Sequence, residues 1–407
     1  MGRDYRKGGG PTESGKRGDG VVVNGYSQQW LERGFPWVYR EEVLGRTGQL
    51  QPGCEVSIRA RGGKLLGVGI WDKGKVEVRR FRSDAGAIDR DLLQDLVDAA
   101  RVRRVVPPDT TCWRWIHGEN DDLPGVRVDC WGDQLSVVLD SPSLLPLLDT
   151  LIEVLTTSRH TTAVWLSWRL AEGVAIPRGG LPDGLVWGTA EREEVEVEEC
   201  GVKMWVRPWD GLAAGVYADM RDLRRWLQPH WVGQRVLNTF AFTGLFSVAA
   251  AVHGASETVS VDLSAAAMER AQDNFRLNGL NPDNHVFEAR DTFKALDAHR
   301  RKGERFDIVV ADPPSFSHAE DGTWAASRDY PRLVAACLRV LRPGGWLIMA
   351  SNQGSVSPKE FQKFLLQGSR RTRRPLRLVH VASPPMDFPA ALDFPESRYL
   401  KCWVMQA

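Results

Sequence analysis

Several positions that close apolar, β-rich stretches carry side chains or backbone suited to a nucleoside-bearing ligand. Asp262 ends one stretch, where a carboxylate can accept two hydrogen bonds from a ribose diol. Its plainer role would be to cap the following helix, although Ser264 is better placed for that. Asp291 ends another and can meet an adenine amine or cap a helix, and the residues leave these two readings even. Asn238-Thr239-Phe240-Ala241-Phe242-Thr243-Gly244 turns from strand to helix; Gly244 admits close backbone approach, and the exposed helix N–H groups can bind polar ligand atoms. The run Asp312-Pro313-Pro314-Ser315-Phe316 is the most specific. Successive prolines end the strand and lock a rigid loop, leaving the Asp312 and Pro313 carbonyls outward as acceptors that can orient a nucleophile beside a sulfonium methyl. No GxGxxG or GxxxxGK[ST] occupies the first turn, which weighs against NAD and ATP.

Positioning these groups takes a regular frame. From Gln234 the chain alternates strand and helix: strands at 235–240, 257–263, 285–290, 306–311 and 345–351, and helices at 246–253, 265–278, 292–302, 332–341 and 358–366. Short apolar strands separated by helices predict a doubly wound α/β sheet, parallel and covered on both faces. Ligands of such sheets sit at the carboxyl ends of the strands, where the four segments fall. Two late strands, 376–383 and 399–405, follow without an intervening helix and predict an antiparallel hairpin at one sheet edge. That ending distinguishes a methyltransferase-type sheet from a plain dinucleotide fold.

Upstream the texture differs. Residues 1–20 are rich in Gly, Lys and Arg and read as a disordered basic tail. Residues 21–85 read as a small β barrel of short strands, and 86–195 as an α+β unit with helices at 89–105 and 143–157 and strands at 126–130, 134–139 and 162–168. The α/β domain takes 196–407. Six dispersed cysteines without a CxxC argue against zinc or a disulfide framework and suggest buried small hydrophobes. No apolar run is long enough for a membrane span and no secretory signal is visible, so a cytoplasmic protein without metal is expected. Net charge is +1, so any nucleic-acid partner must be met by local basic patches.

Read as a set, these residues look like a known family. The C-terminal unit resembles class I S-adenosylmethionine-dependent methyltransferases, and the chain from residue 21 resembles the bacterial large-subunit ribosomal RNA methyltransferase I family. The matches are Gly34-Phe35-Pro36-Trp37-Val38-Tyr39, Gly118–Gly125, Val216-Tyr217-Ala218-Asp219-Met220-Arg221, Val236–Gly244, Val261–Ser264, Asp312–Phe316 and Phe394-Pro395-Glu396-Ser397-Arg398-Tyr399-Leu400-Lys401. The resemblance implies a PUA domain, a central α+β domain and a Rossmann-like methyltransferase domain, acting on a base of 23S ribosomal RNA, usually carbon 5 of cytosine. It implies cofactor contacts from Asn238, Phe240, Thr243, Gly244, Asp262 with Leu263, Asp291 with Thr292, and Asp312, with Asp219, Arg221 and Arg224 lining the approach. Read bottom-up, the segment 216–224 is equally an ordinary helix start with solvated arginines.

Departures from the family pattern bear on the chemistry. Ala213-Ala214-Gly215 stands where relatives often have Lys-Thr-Gly, and Ser315 separates Pro314 from Phe316, which disfavours exocyclic-amine methylation. Relatives that methylate cytosine carry a nucleophilic cysteine in a Ser-Cys-Ser-like run, because carbon 5 is activated only when a thiolate adds to carbon 6. This chain has Ser351-Asn352-Gln353-Gly354. The catalytic candidates are therefore Asp312, Pro313 and Asn352, and a nitrogen target such as guanine N7 stands level with cytosine carbon 5. For RNA binding the candidates are Arg59, Arg61, Arg79, Arg80 and Arg82, the run 101–104 and the cluster 370–374, with tryptophans, notably Trp113 and Trp115, as stacking surfaces, although most of the sixteen must belong to the core. The competing readings are a non-catalytic RNA-binding assembly factor that keeps the cofactor pocket, and a small-molecule or protein methyltransferase. Monomer and homodimer are both open.

Overall fold

The computed structural model describes residues 18–45, 49–171, 176, 180–314, 318–319 and 322–407. Of the tail expected over 1–20, residues 1–17 lie outside that range, and Gly18–Val23 already form a strand. This strand joins a six-stranded sheet with Glu55–Ala60, Leu65–Trp71, Val76–Arg82, Trp37–Tyr39 and Val43–Leu44. Alternation in 55–60 turns Val56, Ile58 and Ala60 inward onto Val21, Val38 and Val78. A helix at Gly25–Glu32, capped by Asn24 accepting from the Ser27 N–H at 2.9 Å, was not expected, since Gly25 and the polar run Ser27-Gln28-Gln29 give little helical stripe.

The central unit is a five-stranded sheet backed by helices Arg90–Val102 and Leu148–Ser158. The helix expected from Ser143 starts late: Pro142–Leu147 form a 3-10 turn containing Pro146, which has no N–H to continue a ladder. Its edge strand Cys112–His117, unforeseen, buries Trp115 completely and leaves Trp113 6% exposed. Both tryptophans belong to the core, not to a stacking surface. The acidic stretch before the last unit becomes one arm of a hairpin, Val195–Glu199 with Val202–Val206, whose Val197, Met204 and Val206 pack toward the third sheet.

In the third unit the strands are β1 (Arg235–Thr239), β2 (Glu257–Asp262), β3 (Val286–Ala289), β4 (Phe306–Ala311), β5 (Leu341–Ser351), β6 (Arg377–Ala382) and β7 (Lys401–Gln406). The helices are α1 (Leu245–Val252), α2 (Ala265–Leu277), α3 (Thr292–Arg301), α4 (Ala326–Val340) and α5 (Pro358–Thr372). The order is β3-β2-β1-β4-β5-β7-β6, parallel except for β7, which runs antiparallel to both neighbours. Both faces are covered. Leu237, Val259, Val309, Leu347 and Met405 lie in one apolar cluster, and Val236, Val310, Ile348 and Val404 in another. The order reverses between β1 and β4, which opens a crevice at their carboxyl ends.

Between β6 and β7, residues 383–400 leave the sheet and cross the rest of the molecule. Asp387 accepts from the Arg114 N–H at 2.9 Å, and the Phe388 ring lies under the Arg114 guanidinium. The Ala391 N–H donates to Asn120 at 2.8 Å. Phe394 packs edge-on to Trp37 at 4.8 Å between ring centroids, and Trp37 donates to Glu119 at 2.9 Å. Segments 34–39, 118–125 and 394–401 thus meet at one joint.

Candidate functional site

The turn after β1 is strained as well as glycine-containing. Phe240 and Phe242 both adopt left-handed backbone, at φ 58° and 49°, and Gly244 follows at 81°. Such non-glycine conformations persist only where their surroundings impose them. Here Asp262 supplies that constraint: it accepts from the Phe242 N–H at 2.8 Å and from the Ser264 N–H at 3.0 Å. Ser264, not Asp262, caps α2, accepting from the Ala267 N–H. A Cβ on Gly244 would lie 2.9 Å from the Ala271 Cβ, so glycine is also required for α2 to pack against the turn. Asn274 holds the other side, donating to the Thr243 carbonyl and accepting from the Trp205 N–H, both at 2.9 Å.

Across the crevice stands a group of acids with two tyrosines. Asp219 accepts from the Tyr399 hydroxyl at 2.8 Å, and burial raises its carboxyl above the usual range. Burial, reinforced by the nearby Asp219 charge, lifts Asp312 to about 7. One Asp312 carboxylate oxygen is buried without a hydrogen-bond partner among the described residues. Tyr217 is half exposed, its ring 5.4 Å from that of Phe242. Burial pushes its hydroxyl up to about 12, with the charges of Asp312, Asp219, Asp210 and Asp262 adding. Tyr217 therefore sits among the acids of two strand ends, Asp262 and Asp312, and of the turns that carry Asp210 and Asp219. Neither it nor Tyr399 was singled out in the sequence as a site residue, because their partners come from distant segments.

The remaining candidates divide by where their side chains point. Leu263 is exposed beside Asp262, Pro313 is buried, and Asn352 is exposed beyond the end of β5. Asp291 caps α3, accepting from the Lys294 N–H at 3.0 Å, with Thr292 buried beneath it. Asn238 is buried and donates to Ser247 at 3.1 Å, and the Thr243 hydroxyl donates to the Gly215 carbonyl. Arg221 and Arg224 are buried rather than solvated, and Arg224 also donates to the Tyr217 carbonyl at 2.8 Å. Arg221 forks onto Asp387, and Arg224 onto Glu199 at 2.6 and 2.8 Å. Ser315 and Phe316 lie outside the described residues.

Lys401, carried by the last sequence match, is buried at the start of β7. Its ammonium donates at 2.6 Å to the carbonyls of Gln353 and Tyr399, and burial lowers its pKa to about 8. It thereby ties the turn after Asn352 to β7. No cysteine is available as a nucleophile. Cys54 is half buried and the other five are buried. Cys402 comes nearest the acids, and burial together with Asp312 and Asp219 pushes its thiol well up.

Many of the arginines read as phosphate contacts are committed elsewhere. Arg79 pairs with Asp72, Arg104 with Asp121, and Arg374 donates to the Leu338 and Leu341 carbonyls. Arg59, Arg61, Arg101, Arg370 and Arg371 remain exposed.

Comparison with known proteins agrees with this geometry. A family model described as S-adenosylmethionine-dependent methyltransferase matches residues 155–401, and one described as PUA-like domain matches 21–82. The chain is 31% identical over 391 residues to ribosomal RNA large subunit methyltransferase I of Erwinia tasmaniensis, covering 94% of this chain and 97% of that protein. To the protein of the same name from Shewanella denitrificans it is 32% identical, covering 91% and 95%. Among solved structures, a protein described as a methyltransferase and complexed with SAH superposes with a TM-score of 0.85 at 23% identity, covering 95% of this chain and 99% of that one. No helix among the described residues is long and apolar enough to cross a membrane.

Proposed function

The chain belongs to the ribosomal RNA large subunit methyltransferase I family of S-adenosylmethionine-dependent methyltransferases, and from that premise we propose that it methylates a base of large-subunit ribosomal RNA at a ring nitrogen such as guanine N7. S-Adenosylmethionine is its methyl donor; when bound, the donor supplies an electrophilic sulfonium methyl.

The residues fit that group. Asp262, already fixed by two backbone N–H groups, keeps lone pairs for a ribose diol, with Leu263 exposed beside it. Asp291 and Thr292 border the adenine side, and the strained turn 240–244 brings backbone close to the ligand. Asp219 closes the approach. Asp312 faces the reacting centre with a buried, unpartnered oxygen, and near neutral pH its carboxyl can donate as well as accept. The observation that carries the reading is this convergence around Tyr217 of Asp219, from the 218–220 turn, with Asp262 and Asp312 at the carboxyl ends of β2 and β4.

The acceptor follows from what the site lacks. Carbon 5 of cytosine needs a thiolate, and Cys402 is held protonated in the core. A nitrogen with a lone pair in the ring plane needs only orientation and exclusion of water, which the rigid Asp312-Pro313 turn and Asn352 would provide. We further propose that 21–85 and 86–195 work as RNA-holding units beside the catalytic 196–407. Incubating labelled S-adenosylmethionine with unmodified 23S ribosomal RNA, followed by nucleoside mass mapping, tests the whole. Labelled N-methylguanine is expected. Labelled 5-methylcytosine would overturn the acceptor, and transfer only to protein or small molecules, or none, would overturn the RNA reading.

A further inference from the structure

Outside the cofactor crevice, the hairpin 195–206 and the segments flanking it on both sides border a cleft of about 680 Å3, lined by Arg192, Glu193, Glu194, Trp205, Arg207 and Trp209. Trp209 is 37% exposed, a large apolar ring left in water where, among the tryptophans, only Trp187 is as open. The Arg207 guanidinium lies 5.9 Å from the Trp209 ring centroid and is held by Glu194 at 2.5 Å. The ring therefore has a charged plane beside it and an open side.

The charges balance, two arginines against two glutamates. A phosphate would meet no net attraction, whereas a nucleobase offers a stacking face and an edge that needs both donors and acceptors. The cleft is joined to the crevice by a short path. The Arg207 N–H donates to the Ala214 carbonyl at 2.7 Å, and Gly215 follows at φ 136°. A Cβ there would lie 2.8 Å from the Trp205 carbonyl oxygen, so glycine lets the segment press against the hairpin. Two residues on is Tyr217, among the acids of the crevice, and Asp210, next to Trp209, already acts on the Tyr217 hydroxyl.

We propose that this cleft takes an unpaired nucleobase of the substrate RNA, a neighbour of the methylated nucleotide, stacked on Trp209. The proposal rests on the reading of the protein as an RNA base methyltransferase, and it adds a second base site to that of the acceptor.

Equilibrium binding of a single-stranded RNA oligonucleotide, and of an abasic ribose-phosphate oligomer of the same length, tests it on the full chain. Trp209→Ala should weaken the oligonucleotide about tenfold, Trp209→Phe should keep most of the affinity, and the abasic oligomer should not distinguish the variants. Unchanged SAH binding certifies the fold of each variant. Equal oligonucleotide affinity for wild type and Trp209→Ala, or an equal loss for the abasic oligomer, would overturn the proposal. Methyl transfer by the wild type is scored separately. Base-dependent binding without transfer to RNA counts against the function alone, and transfer with undiminished Trp209→Ala binding counts against the cleft alone.

Discussion

The Tyr399 hydroxyl donates to Asp219 at 2.8 Å, joining the far end of the 383–400 crossing to the acid that raises Asp312. The same crossing holds Arg221 through Asp387 and packs Phe394 on Trp37. The ionisation of the crevice is therefore set partly by how the three units dock.

Asp312 should give the transfer rate an apparent pKa near 7. Asp219→Asn removes the neighbouring negative charge and should move that pKa down, while Asp312→Asn should abolish it. A pH–rate profile unchanged in both variants would refute the assignment.

The same shift has a stability consequence. Because the folded carboxyl holds its proton up to about 7 while the unfolded one releases it near 4, stability falls as pH rises through that window. Asp312→Asn should remove this slope, so its melting temperature should exceed that of the wild type more at pH 8 than at pH 4.

Arg224 and Glu199 form a buried, doubly hydrogen-bonded pair. Arg224→Met strands a carboxylate and should cost about 3–5 kcal/mol in denaturant unfolding. Adding Glu199→Leu should recover most of that loss, whereas additive losses would mean the pair is not coupled.

Gly244→Ala meets both a left-handed backbone and the Ala271 Cβ at 2.9 Å. A destabilisation of about 1–3 kcal/mol is expected, together with weaker SAH binding by calorimetry. Wild-type affinity would show that the turn does not shape the cofactor site.

Cys402→Ala should leave methyl transfer within about twofold of the wild type, at the stability cost of a small core cavity, about 1 kcal/mol. Loss of transfer in a folded variant would reinstate thiolate chemistry.

The positions of Asp262, Asp291 and Asp312 just at or after strand ends were legible in the sequence, because strand ends are local features and the strand–helix alternation places them. The roles of Arg221 and Arg224 were not, since a basic helix start reads as solvated until Glu199 and Asp387 are brought in from distant segments. Trp113 and Trp115 take the core alternative, which the local sequence alone does not separate from a stacking surface. A strand buried on both faces shows no polar alternation to mark it, so its aromatics look free. The left-handed Phe240 and Phe242 carry no signal in residue type at all.

The place of β7 between β5 and β6 has a kinetic consequence. Its ladders to Trp346–Ser351 and Arg377–Ala382 join strands separated in sequence by the long crossing 383–400. Until they form, β5 presents an unpaired edge ending at Ser351, beside the turn that Lys401 will pin. Closure of so non-local a strand is slow, and an open edge invites pairing with other chains. A chain in which the crossing fails to seat would leave β5 with an open edge of the kind that invites pairing with other chains.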